Sequence, residues 1–414
     1  MSIARRDFLK TLGAASCAGT LGGWRQAAAA LTADEALQAF RFADDRVPMN
    51  AANLCPMPAS ITDAVERFSR ELERDMSAGN RHRIEGMKED ARRGLAVLLN
   101  CKADELAIVR NTSEANSVVV RGVPLGDGDE ILLWDQNHPS NALAWDVRAA
   151  RDGFRVRRLS VPRDTGSIDE VVDYFVAALS PQTRLVSFTH ISNVTGFRLP
   201  AAEICGALRR RRPELFIHVD GAQTWGVHDI DLGRVDCDTF SGSAHKWFMG
   251  PRETGLLFVR ERRIPQLTAN VVSIPWGGTT EPSVAGARKF EALGQRDDAA
   301  IAALAETVSL HAALTPAGVR RRADGIADEL RAALADLDLP FVSSRHPDFT
   351  SNVVILAAKP GEQRDLPQRI FERSGIITAA TGGLRMSPHI YNTPDHVRRV
   401  ASALAAERTS FTGG

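Results

Sequence analysis

No run of eighteen apolar residues occurs in the chain, so the sequence offers no clear membrane span. An excess of one charge is missing too, since 51 Lys plus Arg balance 51 Asp plus Glu. Bulk binding to nucleic acid needs a basic face, and this balance argues against it. Cysteine is scarce, five in 414 residues, at a scattered spacing that fits no metal motif. Cys17 falls within the first thirty residues, which leaves Cys55, Cys101, Cys205 and Cys237. In an oxidising compartment these could form disulfides that sequence cannot pair; small buried hydrophobes are the plainer reading. Beyond the first thirty residues there are no repeats, long linkers or low-complexity tracts. The remainder is ordinary for a soluble globular enzyme, 44% apolar and 25% charged. It is long enough for two domains.

Residues 1–30 do not read as part of the fold. Arg5 and Arg6 precede Phe8, Leu9 and Lys10, and a weakly apolar Gly/Ala-rich stretch runs from Thr11 to Trp24. Ala28 and Ala30 offer small residues for cleavage before Leu31. This order matches a twin-arginine export signal, the alternative being a frayed basic tail. It predicts passage through the twin-arginine translocase and a periplasmic or exported mature protein starting near Leu31.

From Leu106 onward, short apolar runs alternate with amphipathic stretches. Leu106–Val109, Ile131–Trp134, Leu185–Thr189, Phe216–Val219 and Leu256–Val259 read as buried strands, with another around Thr239–Ser241. Ile168–Leu179 and Ala201–Arg211 read as helices between them. Alternation of this kind predicts an α/β fold with a mostly parallel sheet, whose ligands sit beyond the carboxyl ends of the strands. After Gln295 the pattern changes. Asp298–Ala313 and Pro316–Leu337 read as long helices, Asn352–Leu356 as a strand, Leu366–Arg373 as a helix and Leu384–Met386 as a short strand. Pro394–Glu407 closes the chain as a helix capped by Thr393. The expected division is a segment 31–70 packing with a smaller α+β C-terminal domain 296–414, around a large domain 71–295.

Polar groups gather where the strands end. Asp220, Gly221, Ala222 and Gln223 follow Val219; the strand around Thr239–Ser241 runs into a Gly/Ser turn, then His245 and Lys246. Trp247, Phe248 and Met249 come next, an apolar flank that desolvates an amine and lowers its pKa, as an amine nucleophile needs. Alone, each feature has a bland reading: a helix cap, a turn, a surface lysine.

Together, His218-Val-Asp-Gly-Ala-Gln223 and the lysine of Ser241-Gly-Ser-Ala-His-Lys246 resemble the class V aminotransferases, with similarity from about Asn50 to Asn392. That resemblance implies fold type I of the pyridoxal-5′-phosphate (PLP)-dependent transferases, with a seven-stranded sheet. It implies Lys246 as the Schiff-base lysine, Asp220 on the pyridine nitrogen and His138 of Asn137-His-Pro-Ser-Asn141 on the ring face. Asn193 and Gln223 would reach the phenolic oxygen. Thr112, Ser113, Ser243 and His245 would hold the phosphate at a helix start, where a dianion is favoured. Thr279 or Thr280 of Trp276-Gly-Gly-Thr-Thr280 would reach the partner's phosphate in a homodimer. Arg385 in Leu384-Arg-Met-Ser-Pro-His-Ile-Tyr-Asn392 would bind the substrate carboxylate through its planar fork, beside Asn50.

With Lys246 as general base, the Cα proton of an amino acid or amine is removed and its charge spreads into the ring. Transamination is the favoured outcome; isopenicillin-N-epimerase-like epimerisation and carbon–sulfur lysis stay open, as does a PLP-binding protein without turnover. Cysteine desulfurases carry a nucleophilic Cys before the carboxylate-binding Arg, whereas Arg373–Arg385 contains none. A persulfide relay there is not expected.

Overall fold

The computed structural model describes residues 38–273, 276 and 284–411. The 1–30 export segment, Thr279 and Thr280 lie outside the described residues. The described chain opens with strand β1 (Val47–Pro48) and two helices, α1 (Ala59–Arg74) and α2 (Ala78–Leu98). Ile61, Ala64 and Phe68 recur at helical spacing and form the buried face of α1. The Ser77 hydroxyl caps α2 by accepting from Asn80 N.

Strand and helix then alternate: β2 (Leu106–Val109), α3 (Thr112–Gly122), β3 (Glu130–Trp134), α4 (Pro139–Asp152), β4 (Arg155–Leu159), α5 (Ile168–Ala177), β5 (Thr183–Thr189), α6 (Ala201–Arg211) and β6 (Phe216–Asp220), followed by β7 (Thr239–Ser243) and β8 (Gly255–Val259). These strands form a seven-stranded sheet in the order β2-β8-β7-β6-β5-β3-β4. Only β8 runs against its neighbours, β2 and β7; the other pairs are parallel. The expected mostly parallel α/β sheet is therefore present. β3 and β6 are buried along their whole length and β5 everywhere but at Arg184, which is why apolar residues dominate their middles. Gly242 and Ser243, expected in a turn, instead extend β7, and the turn begins after them. A Cβ on Gly242 would lie 2.7 Å from the Trp225 ring, so only glycine lets that ring pack on β7.

The remaining elements are α7 (Asp298–Leu314), α8 (Pro316–Asp336), β9 (Val354–Leu356), α9 (Leu366–Ser374), β10 (Ile376–Ile377), β11 (Ala379–Ala380), β12 (Leu384–Met386) and α10 (Pro394–Ala406). β11, β12 and β9 make a small antiparallel sheet. β1 pairs in parallel with β10, Val47 beside Ile376, and Val47 and Met49 share a core with Leu330, Leu356, Ile376 and Val400. Helix α7 packs elsewhere. Its Leu304 and Val308 join Ala91 and Leu95 of α2 in the core under the large sheet, and Ala299, Ala302 and Ala303 meet Ala64 and Phe68 of α1. The chain thus changes units between α7 and α8, which meet at 76°, one helix later than the expected boundary at 296. No single described helix is long and apolar enough to cross a membrane.

Candidate active site

The carboxyl ends of β5, β6 and β7 and the start of α3 open onto a cavity of about 170 Å³. Nine residues singled out from sequence line it: Thr112, Ser113, His138, Asn193, Asp220, Gln223, Ser243, His245 and Lys246. Asn111, Ser140, Thr189 and Ala222 line it as well; sequence reading gave them no role, although each lies within four residues of one that it named.

One end of the cavity is a donor cradle. Asn111 caps α3 by accepting from Glu114 N at 3.0 Å, which aims the helix N-terminus at the cavity. The Ser243 hydroxyl lies 2.7 Å from both Thr112 N and Thr112 Oγ1. Asp220, at the end of β6, also lines the cavity and is 1% exposed. Its Oδ1 accepts from Ala222 N at 3.0 Å and its Oδ2 from Asn116 Nδ2 at 2.9 Å.

Lys246 lines the same cavity. Burial pulls its amine down from 10.5 to about 8, Asp220 pulling the other way and Arg385 adding to the fall. The turn that carries it is pinned from three sides. His389 Nε2 lies 2.8 Å from Trp247 O, and His311 Nε2 lies 2.8 Å from Phe248 O. A carbonyl can only accept, so both rings carry their proton on Nε2. Trp247 Nε1 donates to Gln223 Oε1 at 2.7 Å, and Gln223 Nε2 donates to Ala52 O at 2.9 Å. The Gln223 amide is therefore fixed with its second N–H free to donate.

His138 forms the N-cap of α4. Its Nδ1 accepts from Ser140 N at 3.2 Å, which puts the ring proton of the neutral form on Nε2. Burial, then the nearby Lys246 charge, hold this imidazole below its usual range.

Arg385 comes from β12 of the small sheet and is 5% exposed. It donates to Asn193 O and to Asn50 Oδ1, each at 3.3 Å, and its Nε has no partner. Among the described residues no carboxylate pairs with it. A buried guanidinium without an anion is costly, and burial draws its pKa down to about 10. The arrangement is a cation waiting for an anion, next to an activated amine. Thr279 and Thr280 are the named site residues outside the described residues, and no group of three metal-ligating side chains occurs among the described ones. The free cysteines Cys55, Cys101, Cys205 and Cys237 form no disulfide and none lines the cavity.

Residues 52–400 match the family described as aminotransferase class-V. Isopenicillin N epimerase of Streptomyces clavuligerus is 30% identical over 377 residues, covering 87% of this chain and 94% of its own. A probable cysteine desulfurase of Methanothermobacter thermautotrophicus is 25% identical over 392 residues, covering 87% and 94%. Among solved structures, the cystine C–S lyase C-DES in complex with cysteine persulfide superposes with a TM-score of 0.81 at 24% identity, over 87% of this chain and 98% of that one.

Proposed function

The chain belongs to the class V aminotransferase family, and from that premise we propose that it acts on the α-carbon of an amino-acid substrate, whose carboxylate Arg385 binds. It is a PLP-dependent enzyme of fold type I. The observation that carries the substrate reading is the buried Arg385 guanidinium with no anionic partner among the described residues, its charge felt at Lys246.

The donors present fit the cofactor. Thr112, Ser113, Ser243 and His245 would hold its phosphate at the start of α3, where N–H groups and the helix dipole favour a dianion. Asp220 would meet the ring nitrogen, His138 the ring face, and Gln223 with Asn193 the phenolic oxygen. When bound, PLP supplies an electron sink for charge at the substrate α-carbon. The chain supplies the rest. Arg385 and Asn50 orient the carboxylate. The Lys246 amine, brought near neutrality by burial, takes the Cα proton and can return it. His138, neutral, covers the site without adding charge.

After that proton is taken, we infer that the α-carbon receives a proton on the face opposite Lys246, an epimerase-type outcome. The isopenicillin N epimerase matched above spans most of both chains, and Arg373–Arg385 offers no cysteine for a persulfide relay. Transamination shares every step up to proton return and is told apart by a keto-acid product. The mature chain works as an exported homodimer. Exposed Val271 and Val272 lead toward the segment that the family resemblance sends to a neighbour, and Arg5-Arg6 opens the export signal.

The test is an absorption spectrum of protein loaded with PLP, followed by a panel of amino acids. A visible band that borohydride abolishes, and that Lys246→Ala lacks, is expected. One amino acid should shift the band and emerge with inverted configuration. A protein that stays colourless with added PLP sinks the reading, and keto acid in place of inverted product moves it to transamination.

A further inference from the structure

Behind Asp220 lies a chain of side chains that the catalytic reading does not use. Asn116, His218, Thr239 and Ser241 are each fully buried. Asn116 Nδ2 donates to Asp220 Oδ2 at 2.9 Å. Asn116 Oδ1 lies 3.1 Å from His218 Nε2 and accepts from Ser241 Oγ at 2.7 Å. His218 Nδ1 lies 2.8 Å from Thr239 Oγ1.

The direction of every bond in this chain follows from its end. A carboxylate accepts only, so the amide of Asn116 must present its nitrogen to Asp220 and its oxygen to His218. His218 must then donate through Nε2. In its neutral form it accepts at Nδ1 from the Thr239 hydroxyl. We propose that His218 and Asn116 are positioning residues: the one-way relay Thr239 → His218 → Asn116 → Asp220 fixes the plane of the Asp220 carboxyl and so sets how it meets the cofactor ring nitrogen. This deepens the PLP reading of the site and rests on it.

Two observations support the assignment. Burial pulls the His218 pKa down to about 4, so the ring is neutral at neutral pH, as the directed relay requires. Asn116 also stands four residues after Thr112 on α3, so both lie on one face of that helix. A single rigid element thus carries a cradle residue at its first turn and the Asp220 orienter at its second. Hydrogen bonds aligned head to tail polarise one another, and a donor held on a buried carboxylate is among the stronger kinds.

Three measurements test the relay. In wild-type protein, nitrogen NMR of His218 should show a neutral ring with its proton on Nε2; a proton on Nδ1, or a charged ring, overturns the proposal without reference to any cofactor. Asn116→Leu, similar in volume and without a dipole, should weaken PLP binding roughly tenfold or more. It should also change the pH dependence of the loaded protein's visible band. His218→Phe, which removes one of the two donors to Asn116 Oδ1 and leaves Ser241 as the other, should move both readouts in the same direction. A merely structural role would lower the melting temperature and leave affinity and pH profile of the loaded protein unchanged, and that result overturns the relay. If His218→Phe does not fold, Asn116→Leu and the NMR result decide. Wild-type protein that fails to bind PLP overturns the cofactor reading instead, and the NMR result then judges the relay by itself.

Discussion

Arg385 and Lys246 make opposite bargains with burial. The guanidinium keeps its charge with Asn193 O and Asn50 Oδ1 as its hydrogen-bond partners among the described residues. Replacing it by Leu leaves a bound carboxylate unpaired, which costs roughly 2–5 kcal/mol. Arg385→Leu should therefore raise KM by at least about thirtyfold, with unaltered PLP binding, as steady-state kinetics and cofactor titration would show. Lys gives no full rescue because it lacks the two-pronged fork. Lys246 instead yields its proton: its pKa falls from 10.5 to about 8 on folding. Below pH 8 both folded and unfolded forms are protonated, and the folded state bears the cost of a desolvated charge. Between the two values the unfolded chain binds more protons, so stability rises with pH until 10.5 is passed. In cofactor-free protein, the stability advantage of Lys246→Met over wild type should accordingly shrink across that window. Denaturant unfolding at a series of pH values measures it, and an advantage constant through the window contradicts the assignment. At this scale the sequence was legible where chemistry sits beside a strand end, as in Asp220, Ser243 and Lys246. Asn116 was not legible. It lies one turn inside a helix, away from any strand end, and its role depends on Asp220, 104 residues away.

Elements buried on both faces announce themselves as apolar runs, which is why β2, β3, β5, β6 and β8 could be placed from sequence to within two residues. β4 was missed for the converse reason. It is the sheet's edge, reads Arg-Val-Arg-Arg-Leu, and none of its residues is fully buried; charge at an edge is a common guard against further pairing. Glu291 also acts at the scale of elements. Glu291 accepts from Arg92 of α2 at 2.7 and 3.0 Å and from Ile108 N of β2 at 2.6 Å. Arg92 is 0% exposed and gives a further bond to Leu106 O. This ion pair locks helix to strand below the cradle. Removing one partner of a buried pair costs about 3–5 kcal/mol. Glu291→Ala should lose that much in denaturant unfolding; a loss of under about 1 kcal/mol would be the value of a surface pair instead.

At the scale of the molecule, the sequence announced two units, and their join is where pattern reading was least informative. Helix α7 looks like the start of the C-terminal unit because it is Ala-rich and follows the last long strand. Its Leu304 and Val308 nevertheless finish the core under the large sheet. Amphipathic period says that a helix is buried on one side, not which neighbour buries it. The homodimer reading belongs to this scale too. Sedimentation should give twice the monomer mass, and Val271→Asp with Val272→Asp should shift the equilibrium toward monomer; a wild-type monomer active with PLP would remove the partner from the site.

The pairing of β1 with β10, and of Asn50 with Arg385, has a consequence for the order in which the molecule can be made. Asn50 and Arg385 are 335 residues apart, and Val47 waits for Ile376 to complete its strand pair. A ribosome delivers the cradle, Asp220 and Lys246 well before it delivers Arg385. Contacts this distant in sequence form late and slowly. A nascent chain therefore carries the cradle and Asp220 before Arg385 exists, and the Lys246 turn gains its His311 and His389 contacts only as the last quarter of the chain arrives.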